Sequence, residues 1–213
     1  MEPNETEYLR KLQEHVAQAR RLFSNKMKPE RERMVCRAFL RCLGVAFREK
    51  EIATSNTEPI DVIFRSAKFQ IRELMEPNRK RGDELKELQQ KVKNATSIED
   101  LITPYSPPRR LAFQALVLEL IKALGEKAMK YGVGCRDLDA LVYVDLERRY
   151  LDANSVIPDL SKLKSQGWRS VSVLFPPYSV VLSVESAAPV FIKICSGRAV
   201  SKCGDLDNLF DEK

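Results

Sequence analysis

The chain has 213 residues and a mass of 24.4 kDa, with 44% hydrophobic and 31% charged residues. That profile suits one large globular domain with appendages and excludes a disordered chain. Lys and Arg number 36 against 30 acids, a formal charge of +6 that suits a polyanionic partner without requiring one. Five scattered cysteines (Cys36, Cys42, Cys135, Cys195, Cys203) form no CxxC pair, which excludes a zinc ribbon and a disulfide framework. His15 is the single histidine, so Ser-His-Asp catalysis, Cys-His catalysis and histidine-based metal sites are excluded. The start, Met1-Glu2-Pro3-Asn4-Glu5, is acidic and lacks the apolar core of a signal peptide. The most apolar stretch, Val171 to Val184, is broken by Pro176 and Pro177 and is too short for a membrane span. A cytoplasmic protein without a membrane partner is expected.

In chain order, residues 5–24 carry Tyr8, Leu9, Leu12, Val16, Ala19 and Leu22 at helical spacing. Pro29 opens a second helix whose stripe runs Glu32, Cys36, Phe39, Leu40 and Leu43, with Gly44 as its stop. Residues 45–52 suggest a short strand. Residues 59–75 read as a β-hairpin turning at Arg65 and Ser66. Residues 76–95 form a polar helix or arm, and 97–103 a single helical turn. Pro107 and Pro108 are expected to open the longest helix, which Gly132 ends. Ala140 to Leu146 is a near-continuous apolar strand suited to a sheet centre. A short helix over 159–166 and strands at 170–175, 179–185 and 190–195 complete the series. Interleaved helices and strands predict an α/β sandwich with a mixed central sheet.

The hairpin carries the most chemistry. Strand residues two apart share a face, so Lys68, Gln70 and Arg72 point away from Ala67, Phe69 and Ile71. In a suitable register Asp61 meets Gln70 and Arg72. An Asp beside a cation can seat Mg²⁺ and a phosphate, with Asp61 as the metal ligand. The simpler role for Asp61 is a cap or an ion pair at a sheet edge. Basic residues crowd 20–41, including Arg31, Arg33, Arg37 and Arg41, and Arg109 and Arg110 are expected at a helix N-terminus that favours phosphate. Such charge also suits a plain solvated face. Trp168 beside Arg169 suits base stacking or, more simply, a core anchor after Gly167.

Asp61 followed nine residues later by Gln70-Ile71-Arg72 resembles a decayed PD-(D/E)xK nuclease motif. That motif belongs to the restriction-endonuclease-like fold, with core order α-β-β-β-α-β, and residues 29–146 are similar to it. The resemblance implies a three-layer α/β sandwich over 29–213 behind a helical extension over 1–28. It makes Pro59-Ile60-Asp61 the first element, Gln70 the second acid, Arg72 the lysine and Glu32 the helical acid. Four collinear segments, Glu30 to Arg33, Asp61 to Arg65, Leu151 to Ser155 and Gln166 to Ser170, resemble a bacterial family that carries a provisional endonuclease label. Implied catalytic residues are therefore Asp61, Gln70, Arg72 and Glu32. DNA is the implied partner, and Arg31, Arg33, Arg37, Lys68, Arg109 and Arg110 are candidate contacts.

The departures from the motif matter. Gln70 adds no charge to hold a metal, and Arg72 cannot act as a general base at neutral pH. Lys68 shares their face but is displaced by four residues from Arg72, and Glu73 needs a bulge to join them. Two readings follow: a Mg²⁺-dependent DNA endonuclease with a degenerate site, or an inactive nuclease fold that binds nucleic acid or a protein. The N-terminal helix can cover the sheet or pair with a second chain in a homodimer.

Overall fold

The computed structural model describes residues 4–151, 156 and 158–200. In chain order the elements are α1 (Glu5–Leu22), α2 (Lys28–Leu43), β1 (Ile52–Thr54), β2 (Val62–Phe64), β3 (Ala67–Met75), α3 (Arg81–Asn94), β4 (Arg109–Leu111), α4 (Phe113–Tyr131), β5 (Asp139–Asp145), β6 (Arg149–Leu151), α5 (Ser161–Lys164), β7 (Ser170–Phe175), β8 (Tyr178–Val184), α6 (Val190–Lys193) and β9 (Ala199–Val200). The chain divides into two compact units, Met1–Arg31 with Pro77–Pro107, and Glu32–Glu76 with Pro108–Lys213. Among the described residues no helix is long and apolar enough to cross a membrane.

In the first unit α1 and α3 pack together. Asn4 caps α1 by accepting the Thr6 N–H at 3.1 Å, with Glu5 and Glu7 in the first turn and Arg20 and Arg21 in the last, each sign placed to suit the helix dipole. Leu9 and Val16 on α1 and Val92 on α3 are buried. The Asp100 carboxylate accepts the N–H groups of Thr96 and Ser97 at 2.8 and 3.0 Å, and these bonds hold its pKa below the ordinary carboxylate value.

The second unit is built on a seven-stranded mixed sheet of order β1-β2-β3-β5-β7-β8-β9. β1, β2 and β3 form an antiparallel meander, β3, β5 and β7 run parallel, and β8 and β9 return antiparallel. Alternation along the central strands divides the core in two. On one face Ala140, Val142, Val144, Val171 and Val173 meet Leu116, Leu120 and Leu124 of α4, Leu163 of α5 and Trp168. On the other, Phe64, Ala67, Phe69, Leu141, Leu174 and Val181 meet Phe39, Leu40 and Leu43 of α2 and Ile192 of α6. Helices thus cover both faces, and the central strands are apolar on both sides. Gly44, at φ 67°, closes α2, with the Val45 N–H donating to the Leu40 carbonyl at 3.0 Å in a Schellman pattern.

Three expectations are corrected. The residues between 45 and 51 hold a 3-10 turn at Glu49–Glu51, and the strand starts only at Ile52. The apolar run at 190–195 opens as the helix α6 after Pro189; a run this short does not distinguish strand from buried helix. Arg109 and Arg110 lie on β4, and the long helix starts at Phe113. Pro108 follows Pro107, which favours extended backbone there, and the Arg109 N–H then finds the Arg148 carbonyl at 2.6 Å. β4 and β6 form a separate two-stranded parallel ribbon.

Cys36, Cys42 and Cys135 are buried free thiols, whereas Cys195 is half-buried. Burial pushes the Cys36 thiol from 9.0 up to about 12. A raised folded-state pKa stabilises the fold fully below pH 9, and that contribution is lost as pH rises from about 9 to 12. Iodoacetamide at pH 8, followed by peptide mass spectrometry, is expected to label Cys195 well before Cys36, Cys42 or Cys135. Equal labelling of Cys36 and Cys195 in the native chain would contradict this burial.

Candidate functional site

The β2–β3 turn places Arg65 at φ 53° and sets Val62 opposite Phe69, Ile63 opposite Lys68 and Phe64 opposite Ala67. Asp61 continues this ladder, its N–H donating to the Phe69 carbonyl at 2.9 Å. Its side chain therefore lies beside Gln70, as the spacing predicts. One carboxylate oxygen, Oδ2, accepts the Ile71 N–H at 2.7 Å and the Gln70 Nε2 at 3.2 Å. The Gln70 Nε2 also donates to the Ile71 carbonyl at 3.2 Å, so two acceptors set the orientation of the carboxamide. Gln70 is 5% exposed, and its Oε1 is buried without a hydrogen-bond partner.

Arg72 follows on the same face, half-buried, with its Nε buried and unpartnered. β3 pairs with β5 without a break from Phe69 to Met75. Glu73 therefore stays on the opposite face from Gln70 and Arg72. Glu32, 8% exposed, lies on the inward stripe of α2. The buried residues of α2 pack with Ala67 and Phe69, on the sheet face opposite Gln70. The structure thus brings Asp61 and Gln70 together, sets Arg72 beside them on the same strand face, and places Glu32 on α2, whose apolar stripe packs on the sheet face opposite Gln70.

Asp61 brings one carboxylate beside the neutral Gln70 carboxamide and the Ile71 carbonyl, a donor set with little charge to hold the expected Mg²⁺. Among the described residues no group of three or more His, Cys, Asp or Glu converges to hold a metal ion. With no cation between them Gln70 turns its N–H toward Asp61, and a ligand role requires the carboxamide turned over. Reversal sets Oε1 against the Asp61 and Ile71 oxygens, an arrangement that repels without a cation between them.

The candidate DNA contacts separate by environment. Arg31 donates to the Leu22 and Ser24 carbonyls, each at 2.7 Å, and lies over the Phe23 ring, closing the end of α1. Arg33 donates to the Ile52 carbonyl at 3.2 Å. Arg37 is 3% exposed and donates to Glu49 at 2.9 Å, so its expected place on a DNA-facing surface is corrected. An inward residue of a helix stripe cannot also line an outer cleft. Lys68, Arg109 and Arg110 are exposed.

A second polar constellation was not anticipated. Asp139, fully buried at the head of β5, accepts Arg169 Nε at 3.1 Å and Ser170 Oγ at 2.7 Å on Oδ1. On Oδ2 it accepts the Lys68 N–H at 3.1 Å and Arg169 Nη2. Arg169 Nη2 also donates to the Ser66 carbonyl at 3.1 Å. Every carboxylate oxygen is occupied by protein, so this centre ties β3, β5 and β7 together and leaves no position for a substrate. The Gln166–Ser170 segment is accordingly a folding element. Gln166 donates to the Ile121 carbonyl at 2.7 Å, Gly167 takes φ 79° and Trp168 is a buried anchor.

A family model described as "Putative endonuclease, protein of unknown function" matches residues 4–206. The chain belongs to this family, DUF1780. A solved structure from Pseudomonas aeruginosa strain PAO1, of a protein of unknown function assigned to a monooxygenase superfamily, is also similar. The two chains are 31% identical, with 93% of this chain and 96% of that chain covered and a TM-score of 0.66. No curated protein matches the sequence. In this DUF1780 member, three of the four segments that carried the resemblance fall on described structure; in the remaining one, Asp152 to Ser155 lie outside the described residues. Asp139 escaped the sequence reading, its one local signal being a polar residue at the head of an apolar strand.

Proposed function

We propose that this chain is a DNA-binding protein on a restriction-endonuclease-like fold whose hydrolytic site is degenerate. The order α2, β1, β2, β3, α4, β5, with α3 and β4 inserted before α4 and with β3 parallel to β5, supports the fold assignment. It follows the α-β-β-β-α-β order of that fold, and Asp61 and Gln70 occupy the positions of its two acids. The family's endonuclease label agrees with this reading. The observation that carries the loss of hydrolysis is the neutral Gln70 beside Asp61, where a cleaving site needs a second anionic oxygen. The free thiols suit a reducing cytoplasm.

The test is plasmid nicking with Mg²⁺ or Mn²⁺, beside a gel shift at low salt. Wild type and Asp61→Ala are expected to show equal, background nicking, while both retard DNA. Metal-dependent nicking that disappears in Asp61→Ala would establish an active nuclease and overturn the degenerate-site reading.

A further inference from the structure

We infer that the β4–β6 ribbon, with the turn before β6, is the contact surface for single-stranded DNA; this rests on the DNA-binding reading above. In the parallel ribbon Arg109 stands directly beside Arg149, and Arg110 beside Tyr150. Neighbouring strands lie about 4.8 Å apart, and like charges set side by side at that spacing repel. Arg148 adds a fourth charge to the approach to β6, where the backbone turns at φ 51° and its carbonyl receives the Arg109 N–H. Arg148 reaches Glu147 at 3.6 Å and Arg149 reaches Glu76 at 3.8 Å. The Arg148–Glu147 pair joins two exposed side chains, and a pair of that kind contributes little to stability.

The position of the ribbon suits a ligand. Leu111 and Leu151 join the core cluster that Ala140, Val142 and Val144 form with α4, and so fix the ribbon beyond the end of β5. That is the carboxyl end of the parallel strands, where open α/β sheets bind their ligands. Leu74 belongs to the same cluster, so Gln70, Arg72 and Leu74 share this sheet face. From Gln70 to the end of β3 is about 17 Å.

Single-stranded rather than duplex DNA follows from Tyr150. Tyr150 is 50% exposed and is paired in register with Arg110. An unpaired base can stack on that ring while arginines hold the flanking phosphates, whereas a paired base keeps its faces inside the duplex. Both sides of the ribbon contribute, since Arg109 and Arg149 share one face and Arg110 and Tyr150 the other.

The test uses the full chain and a fluorescein-labelled 20-nucleotide oligo(dT), read by fluorescence anisotropy from 50 to 200 mM NaCl, with a duplex of equal length beside it. Arg109→Gln/Arg149→Gln is expected to weaken oligo(dT) binding about ten-fold or more and to lower the salt slope by about 1.4. Tyr150→Ala is expected to weaken oligo(dT) binding at least about five-fold and duplex binding far less. Arg10→Gln/Lys11→Gln, exposed on α1, serves as the charge control and is expected to bind as wild type. Circular dichroism melting establishes that each variant is folded, and Arg110→Gln replaces any that is not. Wild-type oligo(dT) affinity in folded ribbon variants would overturn the ribbon while leaving DNA binding intact. Equal losses for oligo(dT) and duplex in Tyr150→Ala would overturn the single-strand preference. Failure of the wild-type chain to bind either probe would overturn the DNA-binding reading itself.

Discussion

Asp139→Ala is expected to destabilise the fold by about 3–5 kcal/mol, because it leaves a buried guanidinium without its counter-charge. Asp139 lies between Phe69 of β3 and Ser170 of β7 in the parallel ladder and is fully buried. Its removal leaves Arg169 with the Ser66 carbonyl as an acceptor, and strips the Ser170 hydroxyl and the Lys68 N–H of theirs. At about 2–4 °C per kcal/mol for a chain of this size, thermal melting falls by roughly 6–20 °C. The paired variant Asp139→Leu/Arg169→Met separates two causes. It removes both charges at similar volume, and is expected to melt well above Asp139→Ala. If the double variant melts no higher than the single one, the loss comes from packing rather than from the stranded charge.

The second large effect is at Trp168. Its indole is buried and meets the Tyr131 ring edge-on at 6.2 Å, within the cluster formed with α4. Trp168→Ala is expected to cost about 3–5 kcal/mol through lost burial and the cavity left behind. Trp168→Phe is expected to cost much less. The indole Nε1 is buried without a hydrogen-bond partner, so phenylalanine also removes an unsatisfied donor. Chemical denaturation with an unchanged m-value reads both effects. A Phe variant as unstable as the Ala variant would show that the N–H has a partner that matters.

Both residues lie in the Gln166–Ser170 segment or are bonded to it, which explains why that segment stood out in the sequence. A glycine, a tryptophan and an arginine in a row are conspicuous for function or for folding, and here the reason is folding. The hairpin was legible because its signals are local: strict alternation from Ala67 to Arg72, a two-residue turn, and an acid just before the first strand. Those features alone bring Asp61 to Gln70. They do not reveal which end of the carboxamide faces the acid, since that depends on the Ile71 carbonyl as a second acceptor. The stripe on α2 marked Glu32 as inward but could not show that α2 packs on the sheet face opposite Gln70.

Non-local pairing hid the rest. β4 is three residues long, and it is stabilised by a partner strand 40 positions downstream. No local pattern distinguishes Arg109–Leu111 from the first turn of a helix after two prolines. Asp139 reads as a polar residue at the head of an apolar strand until Arg169, 30 positions later, arrives beside it. The basic excess of the chain consequently has a different distribution from the one its order suggests. Arg31 and Arg37 serve caps and buried contacts, while Arg109, Arg148 and Arg149 gather on one exposed ribbon.

In the proposed mode of binding, DNA is held by charge on the β4–β6 ribbon, without a metal at Asp61. Its most direct test is the oligo(dT) affinity of wild type and Asp61→Asn, in EDTA and in Mg²⁺ at matched ionic strength. The expected result is four equal dissociation constants, because phosphate contacts on the ribbon do not involve Asp61. A Mg²⁺-dependent gain in affinity that Asp61→Asn abolishes would contradict it.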